Sequence, residues 1–179
     1  MGDLHNLLVP TYRNMLQALS GWLSKAEDHG GDKLMSARLI DDMFPLAAQI
    51  CFACLQAREP VYRLNGEPLP DALEALAATG RDGGAGLDNL TAAKDEVRKA
   101  LAFLDTVTPE QLSGGEDQAV ELVLPNGMTF DLSGLDYVRD WALPQFYFHL
   151  NTAYAILRKE GVPLGKVDYV PHMFAHMRK

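Results

Sequence analysis

His149 is the side chain best suited to chemistry, because an imidazole titrates near neutral pH and can act as base, acid or metal ligand. Gln145 lies four residues before it and Thr152 three after, so on a helix the three follow one another along one line. Leu143, Phe146 or Tyr147, Leu150, Tyr154 and Leu157 recur beside that line every three or four positions. A helix that is apolar on most sides is buried, so its polar line is expected to face the interior. Buried polar groups need partners, which other helices, a ligand, a metal or water must supply. Two readings of His149 stay open: a ligand, base or donor in a pocket, or a core histidine tied to Gln145, Thr152 or a carboxylate of another helix. Tyr147 and Tyr154 read as packing residues whose hydroxyls find partners at the core edge.

Other reactive residue types carry less. Cys51 and Cys54 have the spacing of a redox pair or half a zinc site, but the apolar pattern puts them in mid-helix and no second pair exists. They read as two small core residues. The glycines of residues 80 to 86 lack the Gly-Lys-Ser/Thr ending of a phosphate loop and the preceding strand of a dinucleotide fold, so a flexible connection is expected. His172 and His176 stand four apart, the spacing with which a helix grips a metal, but no adjacent glutamate completes a zinc-peptidase motif. Lys94 interrupts an apolar stripe and reads as a snorkelling stem rather than a buried catalytic amine.

Four helices are expected to position these groups. Leu8, Tyr12, Met15, Leu19, Trp22 and Ala26 form one face of a first helix ending near Gly30 and Gly31. Met43, Ala47, Ile50, Cys54, Ala57, Val61 and Leu64 mark a second, with Asp41 or Asp42 as its cap, Pro45 in its first turn and a kink or early end at Pro60. A loop follows from Asn65 to Pro70. Leu87, Leu90, Val97, Leu101 and Leu104 mark a third helix, and Thr108 with Pro109 opens a single turn. Val120, Leu122 and Leu124, then Met128, Phe130 and Leu132, alternate about Asn126-Gly127, which predicts a β-hairpin lying over the helices or in a subunit contact. The last helix is expected from about Leu135 to Glu160, bent at Pro144 and stopped by Gly161 and Pro163, with an irregular strap to Lys179. The fold class that buries each stripe is all-α, a four-helix bundle with a short hairpin before its last helix.

The bulk numbers bound the rest. At 179 residues, 47% hydrophobic and 22% charged, one domain spanning residues 1 to 179 is expected. A net charge of -8 with scattered Lys and Arg argues against a nucleic-acid partner. No apolar run is long enough to span a bilayer, and Met1 to His5 lacks the basic and apolar blocks of a leader, so a cytoplasmic protein with no membrane partner is expected. Phe44, Phe52 and Trp141 are extra apolar residues in need of cover, from which a homodimer is expected.

Residues 42 to 46 (DMFPL), 143 to 158 (LPQFYFHLNTAYAILR) and 161 to 169 (GVPLGKVDY) resemble an uncharacterised DUF-type bacterial family in the DinB/YfiT-like metalloenzyme superfamily, and the resemblance runs over nearly the whole chain. It implies a four-helix bundle, frequently a homodimer, with a pocket between the second and fourth helices. Metal-binding relatives carry one histidine on the second helix and a pair four residues apart on the last. Some use the metal to activate a thiol or water in transfer or hydrolysis. Here the positions four residues from His149 are Gln145 and Ala153, and the second helix offers Asp42 and Gln49 in place of histidine. Zinc prefers imidazole or thiolate and a catalytic site supplies three protein ligands, so a complete three-histidine site is not expected; a divalent metal on His149 is a weak alternative. The pocket candidates are Asp42, Gln49, Gln145, His149 and Thr152. Two functions follow: a non-catalytic dimer or small-ligand binding module in which the stripe only fixes helix register, or a metal-dependent or His149-assisted transferase or hydrolase acting on a small molecule.

Overall fold

The computed structural model describes residues 4–178; Met1 to Asp3, read above for a leader, and Lys179 lie outside them. Helix α1 (Leu4–Glu27) buries the whole predicted face, from Leu8 through Tyr12 and Trp22 to Ala26. Helix α2 (Leu46–Gln56) is buried almost all round. It packs against α7 (Leu143–Lys159) and α5 (Leu90–Leu104), and α1 packs against the same two, which closes a four-helix bundle. Tyr12 meets Phe146 edge to face at 4.7 Å between ring centres in the middle of this core, an arrangement that the ring quadrupoles favour. No helix among the described residues is long and apolar enough to cross a membrane.

The second helix differs from the sequence reading at both ends. Pro45, not Asp41 or Asp42, occupies the position before its first turn, in extended conformation, and both aspartates are exposed in the preceding turn. Proline fixes φ for the entry, and the first free N–H, that of Leu46, donates to Ala37 O at 2.9 Å rather than to a carboxylate. At the other end α2 stops at Gln56 and a short α3 (Glu59–Leu64) restarts with Pro60 in its first turn. The break brings Arg58 inward: its Nε donates to Cys54 O at 2.9 Å, and its guanidinium pairs with Glu96 of α5 in a buried contact.

A fifth long helix, α4 (Asp71–Arg81), fills the stretch that the sequence reading left between its two loops. Leu73, Leu76, Ala77 and Gly80 form its buried face, and it lies against α2. Small residues permit the close approach. A Cβ on Gly80 would come within 2.8 Å of the Phe52 ring, and one on Gly84, whose φ is +83°, would come within 2.7 Å of the backbone nitrogen of Ala48. The glycine-rich connection therefore pins α4 to the start of α2.

Strands β1 (Ala119–Val123) and β2 (Thr129–Ser133) pair antiparallel, Ala119 opposite Ser133 through Val123 opposite Thr129. The turn is a three-residue connection. Leu124 O accepts from Gly127 N at 2.9 Å, Leu124 N donates to Met128 O at 2.8 Å, and Gly127 alone takes positive φ, at +85°. Asn126 keeps negative φ, so the two-residue turn predicted from Asn126-Gly127 is replaced by a type I turn closed by a glycine bulge. Val120 and Leu122 are buried while Met128 and Phe130 stay exposed.

The expected last helix is three stacked segments: α6 (Gly134–Tyr137), a π-helical turn (Val138–Ala142) and α7. Pro144 sits in the first turn of α7 rather than at a mid-helix bend. Its ring has no N–H to give the previous turn, and the widened turn before it absorbs the misfit. The end of α7 falls as expected: Gly161 N donates to Arg158 O and Val162 N to Leu157 O, the paired bonds of a glycine stop. The chain then returns over α1 through α8 (Lys166–Tyr169). Trp22 Nε1 donates to Asp168 O at 2.8 Å, Lys25 pairs with the Asp168 carboxylate at 2.8 Å, and Tyr169 stacks on Trp22.

Candidate functional site

His149 and Gln145, one turn apart on α7, open onto a cavity of about 890 Å³. Its walls come from four elements: Phe44 and Phe52 at and beside α2, Ala77 and Arg81 on α4, Leu122 with the hairpin turn, and Trp141 ahead of α7. The floor is polar, made by Gln56, Glu59 and Arg63 at the α2–α3 break. Glu59 is buried and accepts from Arg63 Nε at 2.6 Å and from Gln56 Nε2 at 3.3 Å. Beyond it the hydroxyls of Tyr12 and Tyr137 are buried with no hydrogen-bond partner, and burial together with the nearby Glu59 charge holds both phenols above their ordinary range.

The orientation of the His149 ring follows from its neighbour. Gln49 Nε2 donates to Phe44 O at 3.0 Å, and that carbonyl can only accept. Gln49 therefore turns its oxygen toward His149, where Oε1 lies 2.9 Å from Nδ1. An amide oxygen also only accepts, so in the neutral ring Nδ1 carries the proton and Nε2 keeps its lone pair. Burial makes the charged form costly and pulls the His149 pKa down to about 4. Phe52 contributes to that burial, its ring centre 4.7 Å from the imidazole. At neutral pH the site thus presents an uncharged imidazole with one free acceptor nitrogen.

The other candidates separate. Gln145 lines the cavity and has no hydrogen-bond partner among the described residues. Gln49 sits behind His149 as the group that orients it. Thr152 is buried and satisfied within its own helix, its hydroxyl donating to Phe148 O at 2.7 Å, and it does not line the cavity. Asp42 is exposed and lies outside the cavity, because the turn before Pro45 carries it toward solvent. Phe44, Phe52 and Trp141, the apolar residues expected to need cover, line the cavity. Tyr154 packs edge to face on Trp22 at 5.2 Å, beside the strap. Cys51 and Cys54 are wholly buried, and burial drives both thiols up, Cys51 to about 12.

For a divalent transition metal the residues present do not fit. Around His149 the nearby donors are amides, and the oxygen of Gln49 is already occupied by the imidazole N–H. Among the described residues no three His, Cys, Asp or Glu side chains come together as a ligand group. His172 and His176 lie in a 3₁₀ turn (Pro171–His176), where three residues complete a turn and positions four apart point in different directions.

Sequence reasoning missed Glu59, Arg63 and Arg81. Glu59 and Arg63 carry a signal, opposite charges four apart in an otherwise apolar helix, and Arg81 closes a helix whose Leu73, Leu76, Ala77 and Gly80 stripe is visible in the chain.

The comparisons agree with this architecture. The model of DUF1993, a domain of unknown function, matches residues 4–170, and the chain belongs to that family. A crystal structure of a DinB family member protein from Shewanella denitrificans is similar, with a TM-score of 0.71 and 29% sequence identity over 93% of this chain and 91% of that one. The family is thus DinB-like in fold, an all-α bundle carrying a short hairpin. No curated protein matches the chain.

Proposed function

We propose that this protein binds a small molecule in the cavity between α2 and α7, and that His149 recognises it as an uncharged hydrogen-bond acceptor without a three-histidine metal site. The observation that carries the reading is the Gln49–His149 contact, which spends one imidazole nitrogen on fixing the ring and leaves the other free. His149 Nε2 has no partner among the described residues and is not one of the sealed polar atoms, so a molecule entering the cavity can reach it. Apolar walls around a few polar groups are also what ligand pockets of this size use.

A His-assisted reaction is the second reading, favoured by the same free nitrogen: a neutral imidazole is in the form that accepts a proton from a hydroxyl, thiol or water. Its low proton affinity, set by burial, makes it a weak base. Binding without chemistry is therefore the first reading.

A metabolite panel screened by thermal shift against the wild type and His149→Ala tests both. Ligands that stabilise the wild type and lose at least about ten-fold in affinity with His149→Ala support binding at this nitrogen. Turnover of a hit supports the second reading, and a panel that acts equally on both proteins defeats both.

A further inference from the structure

In a chain of net charge -8, the cavity beside His149 has the opposite sign. Two guanidinium groups, Arg63 and Arg81, line it against a single carboxylate, Glu59, and His149 is neutral. The two arginines differ. Arg63 is committed, its Nε to Glu59 at 2.6 Å and a terminal nitrogen to Glu121 O at 3.3 Å. Arg81, on the last turn of α4, is exposed and has no hydrogen-bond or ion-pair partner among the described residues. Exposed arginines elsewhere are of both kinds: Arg98 pairs with Asp95 at 2.7 Å and Arg139 with Asp136 at 2.7 Å, whereas the Arg158 side chain has no partner among the described residues; of the unpaired ones named here, Arg81 alone lines this cavity. Asp82, next in the chain, does not pair with Arg81, although it carries the complementary charge.

The placement of Arg81 is set by packing. Ala77, one turn earlier, lies on the cavity wall, and Gly80 lets α4 approach Phe52 so closely that a methyl group would collide with the ring. The last turn of α4, and with it Arg81, is thereby placed at the edge of a chamber walled by Phe44, Phe52 and Trp141. A planar fork with five donors, unpaired and beside apolar walls, matches a carboxylate or similar oxyanion carried on an apolar body.

We infer that the ligand of this cavity is a small organic anion with an apolar body, its anionic end held by Arg81 and its body against the aromatic wall. The inference rests on the binding reading above and adds the chemical class. An uncharged ligand would leave the one uncommitted charge of the cavity without a role, and a cation would meet it with like charge.

The test uses two probes with the same body, 4-phenylbutyrate and 4-phenylbutan-1-ol, titrated calorimetrically at pH 7 into the wild type, Arg81→Gln, Arg81→Lys and Arg98→Gln. Circular dichroism checks that each variant is folded. The expected result is that the acid binds the wild type about ten-fold or more tighter than the alcohol, with an affinity that falls as salt rises. Arg81→Gln removes the preference, Arg81→Lys restores part of it, and Arg98→Gln, on the exposed face of α5, leaves it intact. Equal binding of the two probes, or a preference that survives Arg81→Gln, overturns the assignment of an anion while leaving the cavity a binding site. Binding of neither probe to any variant overturns the anion inference, and retention of the His149-dependent hits from the metabolite panel would show that the binding reading survives it.

Discussion

Two polar regions are built into this bundle, and they end differently. Between the α2–α3 break and α5, Arg58 and Glu96 close on each other, with Cys54 O and Lys99 as further partners. Between α2 and α7, Gln49 and His149 also close on each other, but the bonding stops at an open nitrogen beside a cavity. Both clusters bury polar groups among apolar helices. The first satisfies its members inside the protein and serves the fold; the second leaves one nitrogen open to the cavity, where water or a ligand can take its bond.

The largest expected effect comes from opening the closed cluster. Glu96→Ala strands the Arg58 guanidinium in the interior and should cost about 3 to 5 kcal/mol in urea unfolding, whereas the double replacement Arg58→Met with Glu96→Leu should recover most of it. A double variant as unstable as the single one would break the distinction. The open cluster should show itself by pH. Above pH 6.5 the unfolded and folded imidazoles are both neutral; as pH falls toward 4 the unfolded ring takes a proton that the folded one refuses, so stability drops by roughly 3 kcal/mol over that window. His149→Asn should lack this drop, measured as the difference between the two proteins' unfolding free energies from pH 7 to pH 4. Gly84→Ala should lower stability by about 2 kcal/mol, since positive φ and contact with the α2 backbone leave a methyl group no cheap escape. Asp42→Ala, exposed and outside both clusters, should change thermal stability by less than about 0.5 kcal/mol.

Much of this contrast was legible in the chain. The α1 and α7 stripes, the buried cysteines, the hairpin and the inward line of Gln145 and His149 follow from periodicity, because each is a local pattern repeated over several turns. What was not legible is tertiary. Thr152 shares the line of His149 yet turns its hydroxyl back to Phe148 O, a choice made between two helical directions by packing. The α4 stripe was available, but alanines and a glycine make a weak apolar signal between proline-rich and glycine-rich flanks. The partner of His149 is an amide one hundred residues away, a separation over which no periodicity speaks. Asp42 failed for a local reason: an aspartate near a helix start is a common cap, but proline nearer the start took its place.

The sealed thiols of α2 give the protein a built-in clock. With Cys51 and Cys54 fully enclosed and reluctant to ionise, a thiol-specific reagent can react only while the bundle is open. The labelling rate of the native protein therefore counts openings of its innermost helix. A ligand that occupies the chamber should slow that count in proportion to how tightly it holds the bundle shut.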